Sequence, residues 1–107
     1  MITEDKVEKA LEYLSTSASP YGKWRARAEA LDHHLKVAEA TEYLGAEGTQ
    51  EARKAKARAS ETYKNLVDEY EQAVLEYNTI GSYRKAAELT ISVFQSMVKM
   101  QSQGVNL

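Results

Sequence analysis

The sequence predicts an all-α fold, and three observations carry that expectation. The 107 residues include one proline and five glycines, with a surplus of Ala, Glu, Lys and Leu. Straight-chain residues of this kind lose little rotamer freedom in a helix, whereas β-branched residues, sparse here, are disfavoured. Apolar residues recur three and four apart along most of the chain, and Ser/Thr caps mark the points where that pattern restarts. A length of 107 with 43% hydrophobic and 28% charged residues fits one soluble domain, placed at 1–103 with a tail at 104–107.

The first element is a short helix at about 4–15, capped by Thr3, with Val7, Ala10, Leu11 and Leu14 on one face. "STSASP" ends it, and Ser19 before Pro20 is a restart signal, because proline suits the first helical position and serine accepts from free backbone donors. The second helix is expected at 20–44, with a stripe of Tyr21, Trp24, Ala28, Leu31, Leu35 and Ala38. "GAEGT" then supplies two glycines for a reversal and Thr49 as a new cap, which predicts an antiparallel helical hairpin.

The third helix is expected at 49–101. Ala59, Tyr63, Leu66, Tyr70, Ala73, Tyr77, Ile80, Arg84, Ala87, Ile91, Phe94 and Val98 keep an unbroken four-three spacing, the pattern of a helix supercoiling around a partner. The tyrosines at 63, 70 and 77 read as seam residues alternating with Ala59, Leu66 and Ala73. The competing reading is an exposed ladder for stacking nucleobases. Rings about 10 Å apart along one helix suit successive bases poorly. The register crosses Gly81 and Ser82 without a skip, which favours one coiled-coil-like helix roughly 80 Å long over a compact monomer of four short helices turning at Gly81.

A second helix about 40 Å long covers half of such a helix. The other half then needs a cover, and the expectation is a dimeric helical bundle with Tyr77, Ile80, Arg84, Ala87, Ile91, Phe94 and Val98 at the oligomer interface. Charges support the hairpin: opposed antiparallel segments would bring Arg25 and Arg27 to Asp68, Glu69 and Glu71, Asp32 to Lys64, and Glu39 and Glu42 to Lys56 and Arg53. Arg84 at a seam position either snorkels to solvent or pairs with Glu88 or a glutamate across an interface. Trp24 reads as a core anchor, with an interface hot spot as the alternative.

Chemistry-bearing patterns are few. Arg53, Lys54, Lys56 and Arg58 in "RKAKAR" form a possible nucleic-acid contact at the opening of a helix, although Glu47 and Glu51 in the same region oppose a phosphate there. A solvated face pairing with Glu39, Glu42 and Glu51 is the plainer reading. His33 and His34 are about 100° apart on a helix and cannot chelate one metal together, and there is no cysteine. No carboxylate pair is set apart as a general acid and base. The expectation is therefore a non-enzyme with no catalytic residues, no metal and no cofactor. A net charge of -2 removes the global attraction of a dedicated duplex binder. No apolar run approaches a membrane span and the first residues lack a signal-peptide pattern, so cytoplasm is the expected compartment.

"HLKVAEATEYLGAEGTQEARKAKARASETYKNLVDEYEQAVLEYNTIGSYRKAAELTISVFQS" resembles a family of small helical proteins of tailed bacteriophages and prophages. The resemblance rests on the Ala-Glu-Gly-Thr turn at Ala46 to Thr49, the Arg-x-Ala-x-Ala segment from Arg53 to Ala57, Ser60 with Tyr63, and the run from Arg84 to Ile91. It implies a gene of the early DNA-metabolism and recombination region, acting in the bacterial host cytoplasm. On that basis the expected function is a non-enzymatic, self-associating helical accessory protein that binds single-stranded nucleic acid or a phage or host DNA-metabolism protein. An inhibitor of a host nuclease or defence protein, and a purely structural coiled-coil spacer, are the alternatives. The family carries charged residues where this chain has Gly81 and Ser82, and a basic tail where this chain ends in "MQSQGVNL".

Overall fold

The computed structural model describes residues 2–104, and among them the chain is all-helical: α1 (Glu4–Gly45), α2 (Gln50–Ala59) and α3 (Glu61–Ser102). Thr3 opens α1 as the sequence indicates, its Oγ1 accepting from the Lys6 amide at 3.3 Å while Glu4 and Asp5 sit at the positive end of the helix dipole.

The helix does not stop at "STSASP". It runs unbroken through Pro20, which corrects the expected boundary between helices at 4–15 and 20–44. A proline inside a helix removes one backbone hydrogen bond and crowds the preceding turn, at a cost of about 3 kcal/mol. Two circumstances make this bearable. Thr16, whose carbonyl loses its donor, and Pro20 are both exposed, so water reaches the freed oxygen. Ser17 and Tyr21, one turn apart on the inner face, are held by Arg84 of α3. Tertiary contacts on both sides of the proline override a local stop signal.

The turn after α1 follows the sequence closely. The Ala46 amide donates to the Tyr43 carbonyl, Gly48 takes a positive φ of 116° that a side chain would strain, and Thr49 caps α2 by accepting from the Ala52 amide. A second correction follows. The helix expected at 49–101 is two helices, because Ser60 is extended at φ -63°, ψ 146°. Its hydroxyl donates to the Ala57 carbonyl at 2.8 Å and accepts from the Tyr63 amide at 3.2 Å, closing one helix and opening the next. The apolar register continues from 59 to 63 across this cap, and that continuity hides it. α3 itself passes through Gly81 without a break.

Two compact units are present. One comprises residues 23–77, which takes in α1 from Lys23, all of α2 and the opening of α3. Leu31, Ala57 and Ala73 are its fully buried residues, and Trp24, Ala28, Leu35 and Ala38 of α1 with Tyr63, Leu66, Tyr70 and Tyr77 of α3 are half-buried around them. The three tyrosines thus line the inner face, and Ala59, the first residue of the expected seam, is exposed.

The other unit comprises residues 1–22 and 78–107, described here over 2–22 and 78–104. Ala10, Ser17 and Ala87 are buried in it, with Val7, Leu14, Ile80, Arg84, Ile91 and Phe94 half-buried. The unbroken α1 therefore supplies the inner face of α3 with a cover from the same chain. The sequence argument that this half of the seam lacks one rested on a helix break before Pro20, and it falls with that break.

Candidate interaction surfaces

The seam residues proposed as an oligomer interface divide by position. Ile80, Arg84, Ala87, Ile91 and Phe94 are turned into the unit formed with residues 2–22, Tyr77 is half-buried in the unit of residues 23–77, and Val98 is 47% exposed. Arg84 neither snorkels nor meets Glu88: its Nη1 donates to the Leu14 carbonyl and to Ser17 Oγ, both at 2.8 Å, and its guanidinium lies 5.1 Å from the centre of the Tyr21 ring. Tyr21 in turn approaches Gly81 so closely that a Cβ there would stand 3.2 Å from its ring. Gly81 is thus the small residue that admits the aromatic platform under Arg84.

The basic opening of α2 is largely occupied. Arg53 Nε donates to the Tyr43 carbonyl at 3.2 Å with its guanidinium 4.2 Å from the Tyr43 ring centre, and Lys56 Nζ donates to the Glu47 carbonyl at 3.1 Å. Arg58 pairs with Glu39 at 3.3 Å. Arg53 and Lys56 thus place cations on carbonyls in the last turn of α1 and just beyond it, where the helix dipole favours them. Lys54 lines a shallow hollow of about 300 Å³ with Lys36, Glu39, Ala40 and Tyr43.

Of the expected charge register, Arg27 with Glu69 at 3.6 Å is formed. Elsewhere the partner is nearer in sequence: Arg25 meets Glu29 and Asp32 meets Lys36 on their own helix, while Arg53 and Lys56 prefer backbone oxygens to Glu42 and Glu39. An i,i+4 partner needs no tertiary alignment, so it wins at exposed positions. Trp24 is half-buried, and His33 and His34 are exposed with ring centres 6.3 Å apart. Among the described residues no group of three or more His, Asp or Glu is placed to hold a metal ion, and no helix is long and apolar enough to cross a membrane.

A feature the sequence reading passed over lies on the outer side of α3. Thr79, Ser82, Ala86, Leu89, Val93, Ser96 and Met100 again alternate three and four apart, all exposed, and none is charged. Leu89 is 64% exposed and Met100 40%. At 100° per residue this stripe lies well round the helix from Arg84, Ala87 and Ile91, which face inward. It was legible as a second seven-residue repeat, masked by the stronger aromatic one.

No protein-family model matches this chain, and no curated protein and no solved structure matches it.

Proposed function

We propose that the protein is a non-enzymatic, self-associating helical accessory factor that acts by binding another protein. The observation that carries the self-association is the uncharged, exposed stripe on α3. A solvent-facing helix surface ordinarily carries charge, and a heptad-spaced uncharged face that leaves Leu89, Val93 and Met100 open to solvent marks an interaction site. The engagement of Arg53, Lys56 and Arg58 by Tyr43, Glu47 and Glu39 favours a protein partner over nucleic acid, since those cations would have to leave their present contacts to meet phosphate. The resemblance to phage proteins adds a setting, early DNA metabolism or recombination in the host cytoplasm. Inhibition of a host nuclease or defence protein is a binding role of the same physical kind.

The test is solution mass and partner capture together. The wild-type chain should sediment above the monomer mass at high micromolar concentration. It should also retain a specific protein from phage-infected cells after nuclease treatment. Val93→Asp should lose both while keeping its helical circular dichroism. A monomer that captures nothing overturns the proposal.

A further inference from the structure

We infer that the open stripe of α3 is the self-association surface and that it docks antiparallel against the same stripe of a second copy. The inference rests on the self-association in the preceding reading and specifies its surface, orientation and register.

Size complementarity selects the orientation. With the two-fold axis passing between Ala86 and Leu89, each Ala86 faces Leu89 of the second copy, each Ser82 faces its Val93, and each Thr79 faces its Ser96. The two central layers set a large side chain against a small one, which is how facing positions fill the space between helices without voids or overlap. The same pairs recur on both sides of the axis, as an isologous contact requires. A parallel pairing would stack Leu89 on Leu89 and Ser82 on Ser82, alternating crowded layers with empty ones.

Charge agrees with this register. The positions edging the stripe are Asn78, Lys85, Ser92 and Lys99 on one side, and Tyr83, Thr90 and Met97 on the other. In the antiparallel arrangement Lys85 comes level with Ser92 of the second copy, Lys99 with its Asn78, and Tyr83 with its Thr90. No like charges are brought level with one another, so the rim imposes no penalty of the kind that sets partner choice in coiled coils.

Because the chain has no cysteine, single thiols report the register without background. Ser82→Cys and Val93→Cys are mild changes at exposed positions. Mixed in equal amounts and treated with a short thiol crosslinker, they should give a covalent dimer of one of each, while neither alone links to itself. Met100→Cys alone should likewise remain uncrosslinked, since its counterpart lies at the far end of the second copy. Light scattering on the unmodified chain reads self-association separately. A monomeric mass overturns both this inference and the self-association in the preceding reading. An oligomer in which Val93→Cys or Met100→Cys links to itself, or in which the mixture does not link, overturns the register alone.

Discussion

Arg84 shows how one charged residue at a seam position is made compatible with burial. Its Nη1 meets the Leu14 carbonyl and the Ser17 hydroxyl, and its flat face rests near Tyr21. A guanidinium can put one nitrogen on both oxygens while its flat face lies over the Tyr21 ring, a stacking surface and reach that an ammonium lacks. Arg84→Lys should therefore lose most of what Arg84→Ala loses. About 1–3 kcal/mol is expected from urea denaturation for the alanine variant, as the hydroxyl of buried Ser17 and the carbonyl of half-buried Leu14 lose a charged donor. A lysine variant as stable as wild type would show that charge alone matters. At Leu31, 1% exposed and the largest fully buried side chain among the described residues, the relevant term is packing. Leu31→Ala should cost about 2–5 kcal/mol, the range for leucine truncation in a core that collapses only in part.

At the scale of elements, the outcome turns on caps. Thr3, Thr49 and the glycine turn were legible because each supplies its own signal: a hydroxyl three residues before an amide, or a glycine where φ must be positive. The inner stripes of α1 and α3 were legible because periodicity survives any change of partner. Ser19-Pro20 was misleading for a physical reason: a local stop signal competes with contacts made by Ser17 and Tyr21, and those contacts involve residues about seventy positions away. Ser60 was hidden for the opposite reason, since its cap preserves the register on either side. Among the basic residues the sequence correctly grouped Arg53, Lys54, Lys56 and Arg58 but could not reveal that backbone oxygens of the turn would claim two of them. If Pro20 is tolerated rather than required, Pro20→Ala should raise the melting temperature, by an amount corresponding to as much as about 3 kcal/mol. A fall would mean that the proline shapes α1 in a way its neighbours depend on.

For the molecule as a whole, net charge and the distribution of cations bear on its partners. With a formal charge of -2 and three of the four basic α2 residues engaged, any contact with single-stranded nucleic acid falls chiefly to Lys54. Weak, sequence-independent binding that fades steeply with salt is the expected form of such a contact. Fluorescence anisotropy at low salt should then show Lys54→Glu, with Arg58→Glu, abolishing it while helicity and mass stay unchanged. Absence of binding by the wild-type chain removes nucleic acid from the list of partners and leaves the proposed protein-binding role intact.

The continuity of α1 through Pro20 also has a consequence for the order in which the chain folds. Residues 23–77 form their unit from one contiguous segment, closed by contacts such as Arg58 with Glu39, nineteen residues apart. The other unit joins residues 2–22 to residues 78–104, and its Arg84–Leu14 contact spans seventy residues. Loop closure makes the longer contact dearer by about 1 kcal/mol before any contact rewards it. During synthesis residues 2–22 wait for residues 78–104 to emerge, whereas the central hairpin has its full complement earlier. The central segment should therefore fold first and hold the ends of a much shorter effective loop. In pulse-labelled hydrogen exchange, amides around Leu31 and Ala73 should gain protection before those around Ala10 and Ala87.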